Sequence, residues 1–149
     1  MALISSTLHA DVERTLRAGL SLTPASGELR YSLGLVLVEA GRLADAAGEL
    51  HAAGRLLPGR ARIHYNLGLT LEQLGRPKKA EAALRRAHAL DPVDPEIVYA
   101  LAAFHLRQER DERAMIYARR LAELVPEDPR IGVIVDRAGQ KRSSGRSAK

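Results

Sequence analysis

Apolar residues recur along this chain at helical rather than strand spacing. Leu67, Leu71 and Leu74 fall on one helix face, and Ala80, Leu84 and Ala87 on another, each set following the three-and-four step of an α-helix. Between the two sets stands Gly75, suited to the left-handed turn that ends a helix, and then Pro77, which fits a first helical turn. The segment therefore predicts a hairpin of two helices of about 14 residues each. Asp94-Pro95 and Asp128-Pro129 predict further helix starts, with Asp as N-cap and Pro in the first turn.

The pattern returns at a fixed interval. Tyr31, Tyr65 and Tyr99 are spaced by 65−31 = 34 and 99−65 = 34, and a period of this size marks a stacked repeat. Shifting by 34 aligns Leu33, Leu67 and Leu101, followed by Gly34, Gly68 and Ala102. Leu37, Leu71 and His105 coincide, then Gly41, Gly75 and Glu109. Ala46, Ala80 and Ala114 agree, as do Leu50, Leu84 and Ala118, and the copies close on Pro58, Pro92 and Pro126.

A single hairpin cannot bury both faces, so the copies must stack. Gly34 or Gly68 on the first helix is expected to face Ala46 or Ala80 on the second, letting the axes approach near the lower end of about 8–10 Å. Two departures bear on stability. Glu109 replaces the turn glycine of the third copy, at a cost of about 1–2 kcal/mol if the same turn is kept. Gly48 and Gly54 both lie inside the second helix of the first copy, each costing about 1 kcal/mol relative to Ala. That helix is expected to be the softest of the regular repeats.

Composition narrows the picture. Hydrophobic residues make up 46% of the 149 and aromatics only 3%, so the core must be built from Leu, Ala, Val and Ile. The absence of cysteine excludes disulfides and thiolate metal sites. A formal charge of +5 suggests a nucleic-acid binder at first sight. Yet Arg137, Lys141, Arg142, Arg146 and Lys149 stand at the carboxyl end without an acid, leaving 18 basic and 18 acidic residues over positions 1–136. The body is neutral in sum, and a basic folded surface is not expected from the charge alone. The amino end lacks the basic start of a secretory signal, and no apolar run approaches the about 20 residues of a membrane helix. A soluble, cytoplasmic chain is the default expectation.

No catalytic constellation stands out. Dinucleotide, phosphate-loop and zinc-protease motifs are absent. His9, His51, His64, His88 and His105 form no repeated helical pair with other ligand types, so packing roles are expected and neither a metal nor a cofactor is implied. An enzyme is not expected.

With these residues aligned, the pattern resembles the tetratricopeptide repeat family. The matching residues are Asn66-Leu67-Gly68, Leu71, Gly75, Ala80, Leu84, Ala87 and the closing Leu90-Asp91-Pro92, with His64 where a large aromatic is usual. The resemblance implies an all-α fold, a right-handed α-α superhelix of antiparallel hairpins. It implies repeats at 27–60, 61–94 and 95–128, preceded over 1–26 by a helix like the second half of a truncated copy. A capping helix at 129–140 and a disordered basic tail at 141–149 complete the expected organisation.

In that family the first helix of each hairpin lines a concave groove. The resemblance then implies a column of Tyr31, Tyr65 and Tyr99, followed by Leu35, Leu69 and Ala103, then Val38, Glu72 and Leu106. Glu28, Arg62, Asn66, Gln73, Glu96 and Arg107 would edge it. The same tyrosines serve equally as packing residues, and both readings stand at this point. The carboxylate clamp of the co-chaperone members is not implied. Asn66 fits one clamp position, but Tyr31, Leu35, Glu96 and Ala100 stand where basic or amide residues are wanted. The type III secretion chaperones have a similar length and repeat number.

The expected function is a protein-protein interaction module that holds a peptide segment of a partner in the groove, as adaptor, assembly factor or chaperone. The alternative is a scaffold tethered to nucleic acid or an anionic membrane by its basic tail, although the tail has no aromatic to stack bases. Nucleic acid is not the expected partner. Self-association remains open, because an unfinished repeat exposes an apolar end.

Overall fold

The computed structural model describes residues 2–146. They form eight α-helices: α1 (Ala2–Leu22), α2 (Gly27–Glu39), α3 (Leu43–Leu56), α4 (Ala61–Gln73), α5 (Pro77–Leu90), α6 (Pro95–Arg107), α7 (Asp111–Leu124) and α8 (Arg130–Arg146). The all-α class expected from the sequence is the one observed, with no strand among the described residues. Helices α1 to α5, ending at Leu90, form one compact unit, and α6 to α8, from Asp91, form another. α8 continues to Arg146, so the tail expected to be disordered from residue 141 is helical that far. Its last residues, 147–149, lie outside the described residues.

Each hairpin pairs a 13-residue helix with a 14-residue one. The turns between them share one geometry. Gly41 and Gly75 take φ of 74° and 70°, and Glu109 takes 58°. In all three, the following amide reaches back to the last helical turn: Arg42 N donates to Leu37 O, Arg76 N to Leu71 O and Arg110 N to His105 O, each at 2.9 Å. This is the Schellman closure, which satisfies carbonyls the helix end would leave bare. The third copy keeps it with glutamate in the left-handed region, so the strain expected at Glu109 is present. At the helix starts, Asp94 accepts the Glu96 amide and Asp128 the Arg130 amide, both at 2.9 Å. Ser26 caps α2 in the same way through the Leu29 amide, at 3.2 Å.

Packing inside the hairpins departs from the expected glycine-alanine contact. A Cβ placed on Gly34 would stand 2.7 Å from Leu50 Cγ, and one on Gly68 would stand 2.7 Å from Leu84 Cγ. The glycines therefore receive a leucine one turn beyond the alanine predicted from spacing. Ala46 and Ala80 are fully buried. In the third hairpin the equivalent residues are Ala102 and Ala118, both buried in one cluster. The first helix gains a methyl while the second exchanges an isobutyl group for a methyl, and both alanines are buried.

α1 closes the first unit by packing Leu16 and Leu20 on Leu33, Leu37 and Ala46. Arg42 bridges back to Glu13 at 2.9 Å, and His9 bonds Glu39 at 2.8 Å. In the second unit, Ile134 of α8 joins Ala102, Ala114 and Ala118. His105, at the place of Leu37 and Leu71, is 2% exposed. Its ring stacks on Tyr117 at 5.5 Å and meets Phe104 edge-on at 5.4 Å, an aromatic packing role.

Candidate interaction surface

The residues expected to line a groove sit on α2, α4 and α6. In the first unit, Tyr31, Leu35 and Val38 of α2 and Tyr65, Asn66, Leu69 and Glu72 of α4 are all half-buried. The Asn66 amide donates to the Tyr31 hydroxyl at 2.9 Å and to the Arg62 carbonyl at 3.0 Å. That amide crosses from one copy to the next and engages the Tyr31 hydroxyl. Val38 leans on the Leu33, Leu37 and Ala46 cluster. Gln73 and Arg62 are exposed, with the Arg62 guanidinium 5.1 Å from the centre of the Tyr65 ring. Glu28 is drawn into an ion pair with Arg60 at 2.6 Å, which raises the Arg60 pKa above its ordinary value.

In the second unit, Tyr99 and Leu106 pack against the Ala102 cluster, and Ala103 is buried. Arg107 is exposed at the end of α6. Arg130 lies 4.3 Å above the Tyr99 ring and makes two hydrogen bonds to Glu96, at 3.0 and 2.9 Å. It also bonds both oxygens of Asp128. The Arg130 hydrogen bonds to Asp128, ahead of those to Glu96, push its guanidinium pKa further upward. The same bonds hold the Asp128 carboxyl below the usual aspartate range. Positions 28, 62, 96 and 130, one period apart, thus read Glu, Arg, Glu, Arg, and the last two meet directly. Two of the three tyrosine faces carry a guanidinium, so this surface offers rings partly covered by cations rather than a bare aromatic column.

None of these residues lines a cleft of the first unit between α3, α4 and α5, which Arg55, Arg76 and Lys79 edge. The signal for it lay in local rather than total charge. Residues 51–90 hold eight Lys or Arg against two Asp or Glu, and the acidic surpluses of the flanking segments cancel that excess in the sum. The neutral body hides a basic middle. Among the described residues no group of three or more His, Cys, Asp or Glu side chains converges as a metal site. No described helix is long and apolar enough to cross a membrane.

The tetratricopeptide repeat model matches residues 9–61, 31–95 and 65–129. The chain belongs to the tetratricopeptide repeat family. No curated protein matches the sequence. Among solved structures, the crystal structure of MamA superposes with a TM-score of 0.84 at 22% identity, over 88% of this chain and 77% of that one. A thermophilic TPR protein of Thermus thermophilus is 28% identical over 91% of this chain and 75% of that one, with a TM-score of 0.71. The Yersinia enterocolitica type III secretion chaperone SycD, solved with a peptide of the translocator YopD, gives 0.71 at 20% identity, over 77% of this chain and 93% of that one.

Proposed function

We propose that this tetratricopeptide-repeat chain is a protein-interaction module that holds a peptide segment of a partner against the first helices of its first unit, α2 and α4. The observation that carries this reading is the bond from Asn66 to Tyr31. It ties the first helices of two successive copies together at the tyrosine level and presents half-buried Tyr31, Leu35, Tyr65 and Leu69 beside them. Half-buried aromatic and aliphatic side chains with a rim of mixed charge suit peptide recognition, because the apolar parts anchor and the rim orients. SycD, a protein of this fold, was solved with a peptide bound, which supports the same use here. Glu96, Tyr99, Leu106 and Arg107 offer a similar surface in the second unit, and adaptor, assembly factor and chaperone are all roles such a module can fill.

The test is capture of partners from a cell lysate, read by mass spectrometry, with native protein beside a Tyr65→Ser/Leu69→Ser variant of matching circular dichroism. A partner retained by the native form and lost by the variant is the expected result. Partners that persist unchanged refute the assignment.

A further inference from the structure

The cleft between α3, α4 and α5 encloses about 630 Å³, within the range of about 300–1,000 Å³ usual for ligand sites. Its floor is Leu67 and Leu71 of α4, with His64 at one end. Ala47 and Gly48 wall it from α3, and Ala82 and Ala83 from α5. Gly54 leaves room for the His64 ring, since a Cβ there would stand 3.2 Å from His64 Cε1. The ring in turn is fixed by its Nε2, which donates to Pro58 O at 3.0 Å. The two glycines that weaken α3 as a helix are the residues that open the cleft.

Charge sets the chemistry. Arg55, Arg76 and Lys79 line the cleft together with His51, and no acidic residue does. Among the described residues none of these three cations is held in an ion pair, whereas Arg17, Arg30, Arg42, Arg60 and Arg130 all are. α3 and α5 both run antiparallel to α4. Arg55, near the end of α3, and Arg76 and Lys79, at the start of α5, therefore stand at opposite ends of the apolar floor, about 15 Å apart along the helices. A fatty acid brings one charged head and leaves one end unmatched. A nucleic acid finds an apolar floor and no tyrosine, phenylalanine or tryptophan in the lining on which to stack a base.

We infer that this cleft binds an acidic peptide segment of a partner protein, with aliphatic side chains on Leu67 and Leu71 and flanking carboxylates on Arg55 at one end and Arg76 and Lys79 at the other. The site is distinct from the tyrosine surface. At about 100° per residue, Tyr65 and Leu69 point roughly 150° away from His64, Leu67 and Leu71 around α4.

The probe is a phage-displayed library of random dodecapeptides, selected on the full chain and rescored on three variants and, for the tyrosine surface, on Tyr65→Ser. Gly48→Leu fills the cleft, because a Cβ there meets nothing within 4 Å, and it replaces a helical glycine with a better helix former. Arg76→Glu/Lys79→Glu reverses one end, and Arg14→Glu on α1 is the remote charge control. Selected peptides are expected to carry acids on both sides of two or three aliphatic residues. They should lose at least about tenfold in retention on the first two variants and nothing on the control. The inference is overturned if no selected peptide depends on Gly48 or the cations, or if those that do lack acids. It also fails if oligothymidylate or dodecanoate, but no peptide, is retained with that dependence. A pool sensitive only to Tyr65→Ser overturns the cleft and leaves the tyrosine surface standing.

Discussion

Replacing Gly68 with alanine tests whether the glycine-leucine contact governs hairpin packing. The added Cβ would stand 2.7 Å from Leu84 Cγ, 2.8 Å from Cδ2 and 3.2 Å from the Leu84 amide nitrogen, against about 3.5–4.0 Å for a comfortable contact. One of those atoms is backbone, so a rotamer change of Leu84 cannot clear the clash. Overpacking of this kind costs about 1–3 kcal/mol, and the gain in helix propensity is about 1 kcal/mol. Gly68→Ala is therefore expected to destabilise by about 1 kcal/mol. In a Leu84→Ala background the two side-chain clashes vanish and the 3.2 Å backbone contact remains, so the same substitution should range from neutral to stabilising by about 1 kcal/mol. The coupling, about 1–2 kcal/mol, is the difference between the backgrounds. Urea unfolding followed by circular dichroism gives the global values for the four proteins. Amide exchange across α4 and α5 gives the local ones. The third hairpin, with Ala102 and Ala118, is the natural counterpart of the double variant. The same shift, with the same sign, in both backgrounds refutes the reasoning.

Glu109→Gly relieves a left-handed residue, φ 58°, and should raise the urea midpoint by an amount equivalent to about 1 kcal/mol. Gly48→Ala, at an open helical position, should stabilise α3 by about 1 kcal/mol, seen as slower amide exchange there. Gly54→Ala should gain less, because His64 stands in the way at 3.2 Å. Asp128 titrates below its ordinary value because Arg130 bonds it. Its stabilisation is thus fully present above about pH 4 and lost as the pH falls through the lowered value. Asp128→Asn should flatten that acid limb of the melting temperature.

The architecture was legible because each repeated residue answers a separate local demand. Gly41 and Gly75 reach a positive φ, Asp94 and Asp128 cap helix starts, and the leucines keep helical spacing. The partner of Gly34 and Gly68 was not legible, since spacing along one helix does not give the stagger between two. Ala46 and Leu50 lie on the same face one turn apart, and only the packed pair distinguishes them. The residues of the candidate surface could be assigned to helices from the sequence, but what covers them could not. Arg130, which lies over Tyr99, is 31 residues away in sequence, and nothing local announces the contact. The cleft escaped because opposite local charges cancel in a sum, and because Gly48 and Gly54 read as weakness when viewed along a single helix.

The alternation of Glu28, Arg62, Glu96 and Arg130 gives the array a parity. Where two of these positions meet, Arg130 on Glu96 at 2.9 Å, the charges are opposite. Loss of 62–95 would set Glu28 one period before Glu96, and loss of 96–129 would set Arg62 before Arg130, like beside like. Gaining or losing two periods restores the alternation. An array shortened without breaking this column therefore drops a copy from an end, or two from within.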